Sequence, residues 1–561
     1  MFITVGVIIA LVLYGVFVFG ISRKAEKAMA GKEQSTEFLV AGRNVGPIAL
    51  LGTVCLSIWS ALAFFGYGAG LYRAGIGYYA GAVGAFFVGL YAPTVMYRLW
   101  LLGKKYHYCT PGDFFQHRYN SPFLRVFIAI VLAICTIPYI AVQISGVANG
   151  IVVTTQGRIG FWIAVIVLCV YMWVHVMKGG NKAVVGTDVF AGFAGVGIAI
   201  LTTIVLVSLV PGAGSLTKAT KTISETHPEM FKMSGSYATI SGFLGLAISA
   251  GMSIIAWPHI FVRSYMAKGE RVFKMMGIAF PICELVAFGC FMLQGIWAGR
   301  AAYPDLTGAA TDNIIPQMAQ QYAPAIFAIL LVVGVFAFGL STADSQFVVL
   351  SSLIDDDIIK KKASVRNKQI IFVILLALIL VVVKFRPPFL VTYAYSFCAP
   401  GFAQLMPAMF GGLYWKRSTK EGAIAGTVVG VAAVMFTLFI KNPIPWLQPI
   451  LWGLILGTIL FVCVSLATKP DAEAVEAIHK PLDDFFKSRN TLGHKVCMFF
   501  SVVIFIQLIL VSPKLPGIIL FGWCPLPVFN WICGAVELAV LGYFYGKNRL
   551  FEADGNTKQF A

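Results

Sequence analysis

The chain has 561 residues, 59% of them hydrophobic and 12% charged, with a mean hydropathy of +0.84. These proportions exclude a soluble globular domain and predict an all-α polytopic membrane protein. The net charge of +18 would suit a nucleic-acid partner, but its placement along the chain assigns it to the membrane and leaves no nucleic-acid site.

At roughly 20 apolar residues per crossing, the apolar segments predict about 15 transmembrane helices. With the N-terminus outside, about 32 of the 42 Lys and Arg fall in the odd-numbered connections and the C-terminal tail, the cytoplasmic side under the positive-inside rule. Examples are Arg23 and Lys24, Lys104 and Lys105, Lys268 and Arg271, Lys360 to Lys362, and Lys416 and Arg417. The pattern predicts a cell-membrane protein with a cytoplasmic C-terminus. Residues 2–22 lack a preceding basic stretch and a small-residue cleavage site, so they read as a helix and not as a signal peptide. The 11 cysteines have no paired spacing and read as packing residues.

The second helix, about residues 47–72, carries Gly52, Gly66, Gly68 and Gly70 with Ser57 and Ser60 around Trp59. Glycines there suit close helix packing or a discontinuous helix whose freed carbonyls face a cavity. The loop YHYCTPGDFFQHRYNSPFLR after the third helix has His107, Cys109 and His117 without metal-ligand spacing and reads as a connection. The fourth helix places Pro138, Tyr139, Gln143 and Asn149 in apolar sequence, on a face that needs protein or water. KGGNKAVVGTDVFAGF opens the sixth helix with Asp188 near its cytoplasmic end.

The seventh helix, about residues 239–262, repeats the character of the second, with Ser249, Gly251 and Ser253 mid-helix and Pro258 before Arg263. A second weak helix five helices after the first marks a duplicated unit, and an odd number of helices per unit inverts it. The ninth helix, within residues 331–357, holds Ser341, Thr342, Asp344, Ser345 and Gln346 inside an apolar run. Ser341, Asp344 and Ser345 share a helical face whose oxygens suit a hard cation. Such groups are costly at membrane depth unless satisfied, and hydroxyls there also serve as helix glue. The tail adds a basic segment over 469–495 and a last helix pair joined by FGWCPLPVFNW, a turn suited to the membrane interface.

FLVAGRNVGP, TPGDFFQHRY, GTDVF, WPHIFVR, STADSQ and GLYWKRSTKEGAIAG, in this order over about residues 1–465, resemble the sodium:solute symporter family. The resemblance implies a LeuT-type five-plus-five inverted-repeat bundle with extra terminal helices, working by alternating access. Its expected divisions are a first helix and loop (1–46), two repeats (47–211 and 239–414), two further helices (415–466), a cytoplasmic segment (467–494) and a C-terminal pair with tail (495–561). It implies sodium as the co-transported ion, no organic cofactor, and no enzymatic activity. Carried over by position, a sodium site takes backbone carbonyls of Leu56, Trp59 and Phe338 with the hydroxyls of Ser341 and Thr342. A second cation, sodium or proton, is expected at Asp188, Asp344 and Ser345, because two carboxylates in low dielectric need a positive charge or a proton between them. The solute site is expected at Ser57, Ser60, Tyr139, Gln143, Ser253, Tyr393 and Gln404. With no arginine on the fourth helix and no acid on the second, a small monocarboxylate or amino acid is favoured. Readings that remain beside sodium symport are proton-coupled symport and a solute sensor of the same fold.

Overall fold

The computed structural model describes residues 1–29, 38–359, 365–385, 393–487 and 491–547. Lys360 to Lys362 and part of the 467–494 segment lie outside them. The described chain is nearly all helical, and its one β-ladder pairs Ile519–Leu520 with Cys524–Pro525 in the turn of the last helix pair.

The first helix, Phe2–Met29, spans about 42 Å at 1.5 Å per residue. It buries Val7, Leu11 and Val18 and exposes Val5, Ile8, Ile9, Val12, Leu13 and Val16. That apolar exterior fits hydrocarbon and not water. The helix packs on Phe161–Leu209 and Ala325–Ser352.

Eleven described helices are long and apolar enough to cross a membrane, or twelve with one bent pair counted as a span, against the expected number of about 15. Two physical causes separate the numbers. Residues 63–106 and 161–209 form unusually long runs of 44 and 49 residues, the second about 74 Å if straight, over twice a hydrocarbon core. Each turns at a glycine with positive φ, Gly75 (φ 66°) and Gly180 (φ 49°). A side chain at Gly180 would in addition press on the Phe38 carbonyl, 2.8 Å from its Cβ. The other cause is that the second and seventh spans are broken into pieces too short to cross a membrane as single helices.

The second span ends its first half, Pro47–Ile58, at Trp59 (φ −82°, ψ 43°) and resumes after Ser60. The seventh breaks between Ile240–Ala250 and Pro258–Met266, with Gly251 at φ −135°, ψ −72° and extended Trp257 before Pro258. The expected discontinuities are therefore present at both places. Pro47–Ile58 packs on Phe161–Leu209, Ala325–Ser352 and Pro258–Met266, so the two breaks lie in one bundle.

The loop read as a connection holds a helix, Pro111–Tyr119, with a capping box between Thr110 and Asp113. Arg118 donates to the carbonyls of Gly412 (3.1 Å) and Ser418 (3.2 Å), tying it to the helix Met406–Tyr414 and the turn after it. Ala472–Phe486 docks beside it, with Tyr106 donating to the Ala477 carbonyl at 2.6 Å. Lys420–Phe439 and Pro449–Ala467 pack backbone to backbone: a Cβ at Gly426 would stand 2.7 Å from the Gly457 carbonyl oxygen, and one at Gly457 would stand 2.8 Å from that of Gly426.

Candidate ion and solute site

Breaking a helix frees the carbonyls of its last turn. At the break after Pro47–Ile58 the Leu56 carbonyl accepts from Thr342 Oγ1 at 3.3 Å. Trp59 is buried at the break itself, and Phe338 lies one turn before Thr342 with its ring 4.7 Å from that of Phe64. Ser341, also buried, donates to Asp188 Oδ1. The structure thus brings Leu56, Trp59, Ser341 and Thr342 to one junction between the broken span and Ala325–Ser352.

Asp188 is fully buried and is the centre of a second cluster. Thr53 Oγ1 donates to its Oδ2, and the guanidinium of Arg263 reaches that oxygen at 3.5 Å. Arg263 is itself fully buried. It donates to Thr53 Oγ1 from Nε (3.1 Å) and Nη2 (2.9 Å), to Ser345 Oγ (2.8 Å), and to the His259 carbonyl (2.7 Å). Buried charges persist where they are paired and their remaining hydrogen-bonding groups are satisfied. This one knot ties together Pro47–Ile58, Phe161–Leu209, Pro258–Met266 and Ala325–Ser352.

Asp344 does not share that partner. Its Oδ2 meets His175 Nδ1 at 2.6 Å, with both residues buried. Of the residues expected to hold a second cation, Asp188 meets Arg263 and Asp344 meets His175, so each acid has a neighbour of its own supplied by the protein. Sequence reading noted Arg263 only as the residue that follows Pro258 and passed over His175. No local spacing links either to its acid, since the pairings cross 75 and 169 positions.

The solute candidates divide. Gln143 Nε2 donates to Ser60 Oγ at 3.1 Å. Trp257 Nε1 donates to Ser253 Oγ at 3.1 Å, and the rings of Trp257 and Tyr139 meet edge to face at 5.2 Å. Ser60, Tyr139, Gln143 and Ser253 therefore border the two helix breaks, joined by Trp257, which sequence reading missed although it precedes Pro258 at a break. One polar atom of the Gln143 amide, Oε1, is buried without a hydrogen-bond partner. Ser57 instead donates to the Thr53 carbonyl a turn back, at 2.7 Å.

The contacts of the other two candidates lie outside this group. Tyr393 stacks on Phe397, which meets Phe439 of the flanking hairpin. Gln404 turns its Oε1 toward the same hairpin, 2.8 Å from where a Gly430 Cβ would stand and 2.6 Å from a Gly453 Cβ. The bare glycine surfaces admit it there. A small cavity of about 220 Å³ is lined by Tyr78, Tyr237, Ser249, Tyr395 and Gln448, among others. Ser249 accepts from Ser253 at 3.3 Å through its carbonyl, which connects the cavity to the break in the seventh span.

The family model described as the sodium:solute symporter family matches residues 38–430. The sodium/pantothenate symporter of Haemophilus influenzae is 24% identical over 480 residues, covering 82% of this chain and 95% of that protein. The sodium/proline symporter of Escherichia coli is 24% identical over 509 residues, covering 85% and 97%. Among solved structures, a substrate-bound, outward-open Na⁺-coupled sialic acid symporter superimposes with a TM-score of 0.66 at 16% identity, over 83% of this chain and 98% of that one. The LeuT-type fold expected from the sequence is the fold of this chain.

Proposed function

Because the chain belongs to the sodium:solute symporter family, we propose that it is a symporter that couples sodium entry to uptake of a small solute bearing one carboxylate, a monocarboxylate or an amino acid. The observation that carries the reading is the junction at the break after Pro47–Ile58, where a freed carbonyl meets the Thr342 hydroxyl beside Ser341. Carbonyls of Leu56, Trp59 and Phe338 with the hydroxyls of Ser341 and Thr342 make an oxygen set suited to a hard monovalent cation.

The solute class rests on chemistry next to that junction. Pantothenate and proline, the solutes named for two relatives, each carry one carboxylate and an N–H. Ser60, Tyr139, Gln143, Ser253 and Trp257 supply hydroxyls, an indole and an amide with one free polar atom, with no buried arginine among them. Gln143 Oε1 would accept a solute N–H, and helix termini at the two breaks would meet the carboxylate. Solute held between the two broken spans, with the bundle opening alternately to each side, completes the cycle.

Uptake of labelled short carboxylates, amino acids, sugars and vitamins into proteoliposomes tests the reading. A tenfold sodium gradient contributes about 1.4 kcal/mol and 100 mV about 2.3 kcal/mol per charge, so one ion sustains roughly 500-fold accumulation of a neutral solute. Accumulation unchanged when choline replaces sodium at fixed pH would overturn it.

A further inference from the structure

The last helix pair holds an acid at membrane depth. Leu492–Lys514 and Leu526–Tyr545 lie beyond the residues matched by the family model. The second packs on Arg271–Met292, whereas Thr491–Phe505 has Leu526–Tyr545 as its principal neighbour outside its own span. Between the two runs an open groove of about 770 Å³. Val496, Phe500 and Val503 form one wall and Val536, Val540 and Phe544 the other, all half-exposed. Glu537 lines the groove too, about 17 Å from Leu526 along a helix of about 30 Å.

The polar side chains to either side of Glu537 find partners within the pair. Gln507 Nε2 donates to Asn530 Oδ1 at 3.2 Å, Asn530 Nδ2 donates to Ser512 Oγ at 2.9 Å, and Ser501 Oγ meets the Tyr545 hydroxyl at 3.3 Å. Glu537 stands between these ties, and its Oε2 is buried without a hydrogen-bond partner among the described residues. No lysine, arginine or histidine lines the groove.

We propose that this groove seats one transmembrane helix of a partner protein, which brings a lysine or arginine at mid-span to Glu537. Acids at membrane depth persist where a cation or donor meets them, and here that group has to come from outside the groove's own lining. Lipid tails carry neither. A second copy docked groove to groove would set acid against acid, since the lining has no cation to exchange. Length and shape select a helix over a small amine. The wall from Leu492 to Gln507 runs about 22 Å, and Gly493 and Cys497, one turn apart on it, let a partner backbone come close. The groove lies outside the ion and solute clusters, so the inference stands apart from the symport reading.

The test reconstitutes the full-length protein, with a fluorescent donor at its C-terminus, in lipid with a synthetic transmembrane peptide of about 21 leucine and alanine residues bearing an acceptor. One peptide has a central lysine and its control a central leucine. Energy transfer titrated against peptide per lipid should show the lysine peptide binding about tenfold tighter than the control, a margin that Glu537→Gln abolishes. Val540→Trp, which fills the groove, should weaken binding of the lysine peptide as well, and it decides the matter should Glu537→Gln fail to fold. Equal binding of the two peptides, or none, would overturn the proposal and leave the groove to lipid. A preference for lysine that survives Glu537→Gln, or binding unmoved by Val540→Trp, would overturn it too. Transfer between donor- and acceptor-labelled copies of the chain that Val540→Trp abolishes would overturn it in favour of self-association.

Discussion

Removing the two hydroxyls at the helix break one at a time should give unequal effects on sodium affinity, because the hydroxyls have different partners. Thr342 Oγ1 donates to a neutral carbonyl, Leu56 O, at 3.3 Å. A neutral hydrogen bond is worth about 0.5–1.5 kcal/mol, so Thr342→Ala should raise the half-saturating sodium concentration about 2- to 12-fold, at 1.4 kcal/mol per tenfold. Ser341 donates to the buried carboxylate of Asp188, and hydrogen bonds to charged groups run to about 1.5–3 kcal/mol, which gives about 12- to 150-fold for Ser341→Ala. Asp188 keeps Thr53 and Arg263 in that variant, so protein abundance in the membrane should stay near normal. The assay is the sodium dependence of solute uptake at fixed voltage, normalised to protein in the membrane. Unaltered sodium dependence in both variants would show the hydroxyls to be helix glue, and a larger effect at Thr342 than at Ser341 would refute the role given to Asp188.

Asp188→Asn leaves the buried Arg263 guanidinium without its counter-charge, and breaking such a pair costs about 3–5 kcal/mol. Thermal melting should therefore fall sharply in Asp188→Asn and in Arg263→Gln, but by less than their sum in the double variant; strict additivity would refute the pairing. Asp344→Asn should leave the slope of reversal potential against sodium equal to that of the wild type, since His175 already occupies the acid; a slope reduced by half would restore a cation to Asp344. His479, on the docked Ala472–Phe486 helix, is held down to about 4, first by burial and then by Arg118. Its folded value lies below the unfolded one, so protons favour unfolding, and the helix should loosen as pH falls from about 6.5 toward 4. Proteolysis of that helix should rise over this window in the wild type and not in His479→Gln.

The broken spans were legible because glycine, serine and proline punctuate otherwise apolar runs, and those are the residues that release backbone carbonyls or deny a helical hydrogen bond. Ser341, Thr342 and Asp188 were legible because polar groups at membrane depth demand partners. The partners themselves were not. Arg263 has no acid near it in its own sequence, and only tertiary packing brings it to Asp188; His175 likewise has no acid within helical reach. Tyr393 and Gln404 show how much depends on tertiary neighbours: Gln404 turns its Oε1 toward the glycine faces of the adjoining hairpin and Tyr393 stacks on Phe397, contacts that a one-dimensional pattern does not display. The expected helix number differs from the number of uninterrupted spans among the described residues for a related reason: breaks and glycine turns divide or fuse apolar runs without changing composition.

The close approach of Gly426 to Gly457 sets where this protein can accept change. In a deep mutational scan of a soluble domain, the large buried side chains are the intolerant positions and the small ones the forgiving ones. In the hairpin of Lys420–Phe439 and Pro449–Ala467 the order should invert. Exposed Met435 and Phe436 meet fluid lipid and would accept most apolar residues, whereas a single methyl on either glycine would collide with a carbonyl oxygen at under 3 Å. Alanine, the substitution most often chosen as harmless, would be the informative lesion there.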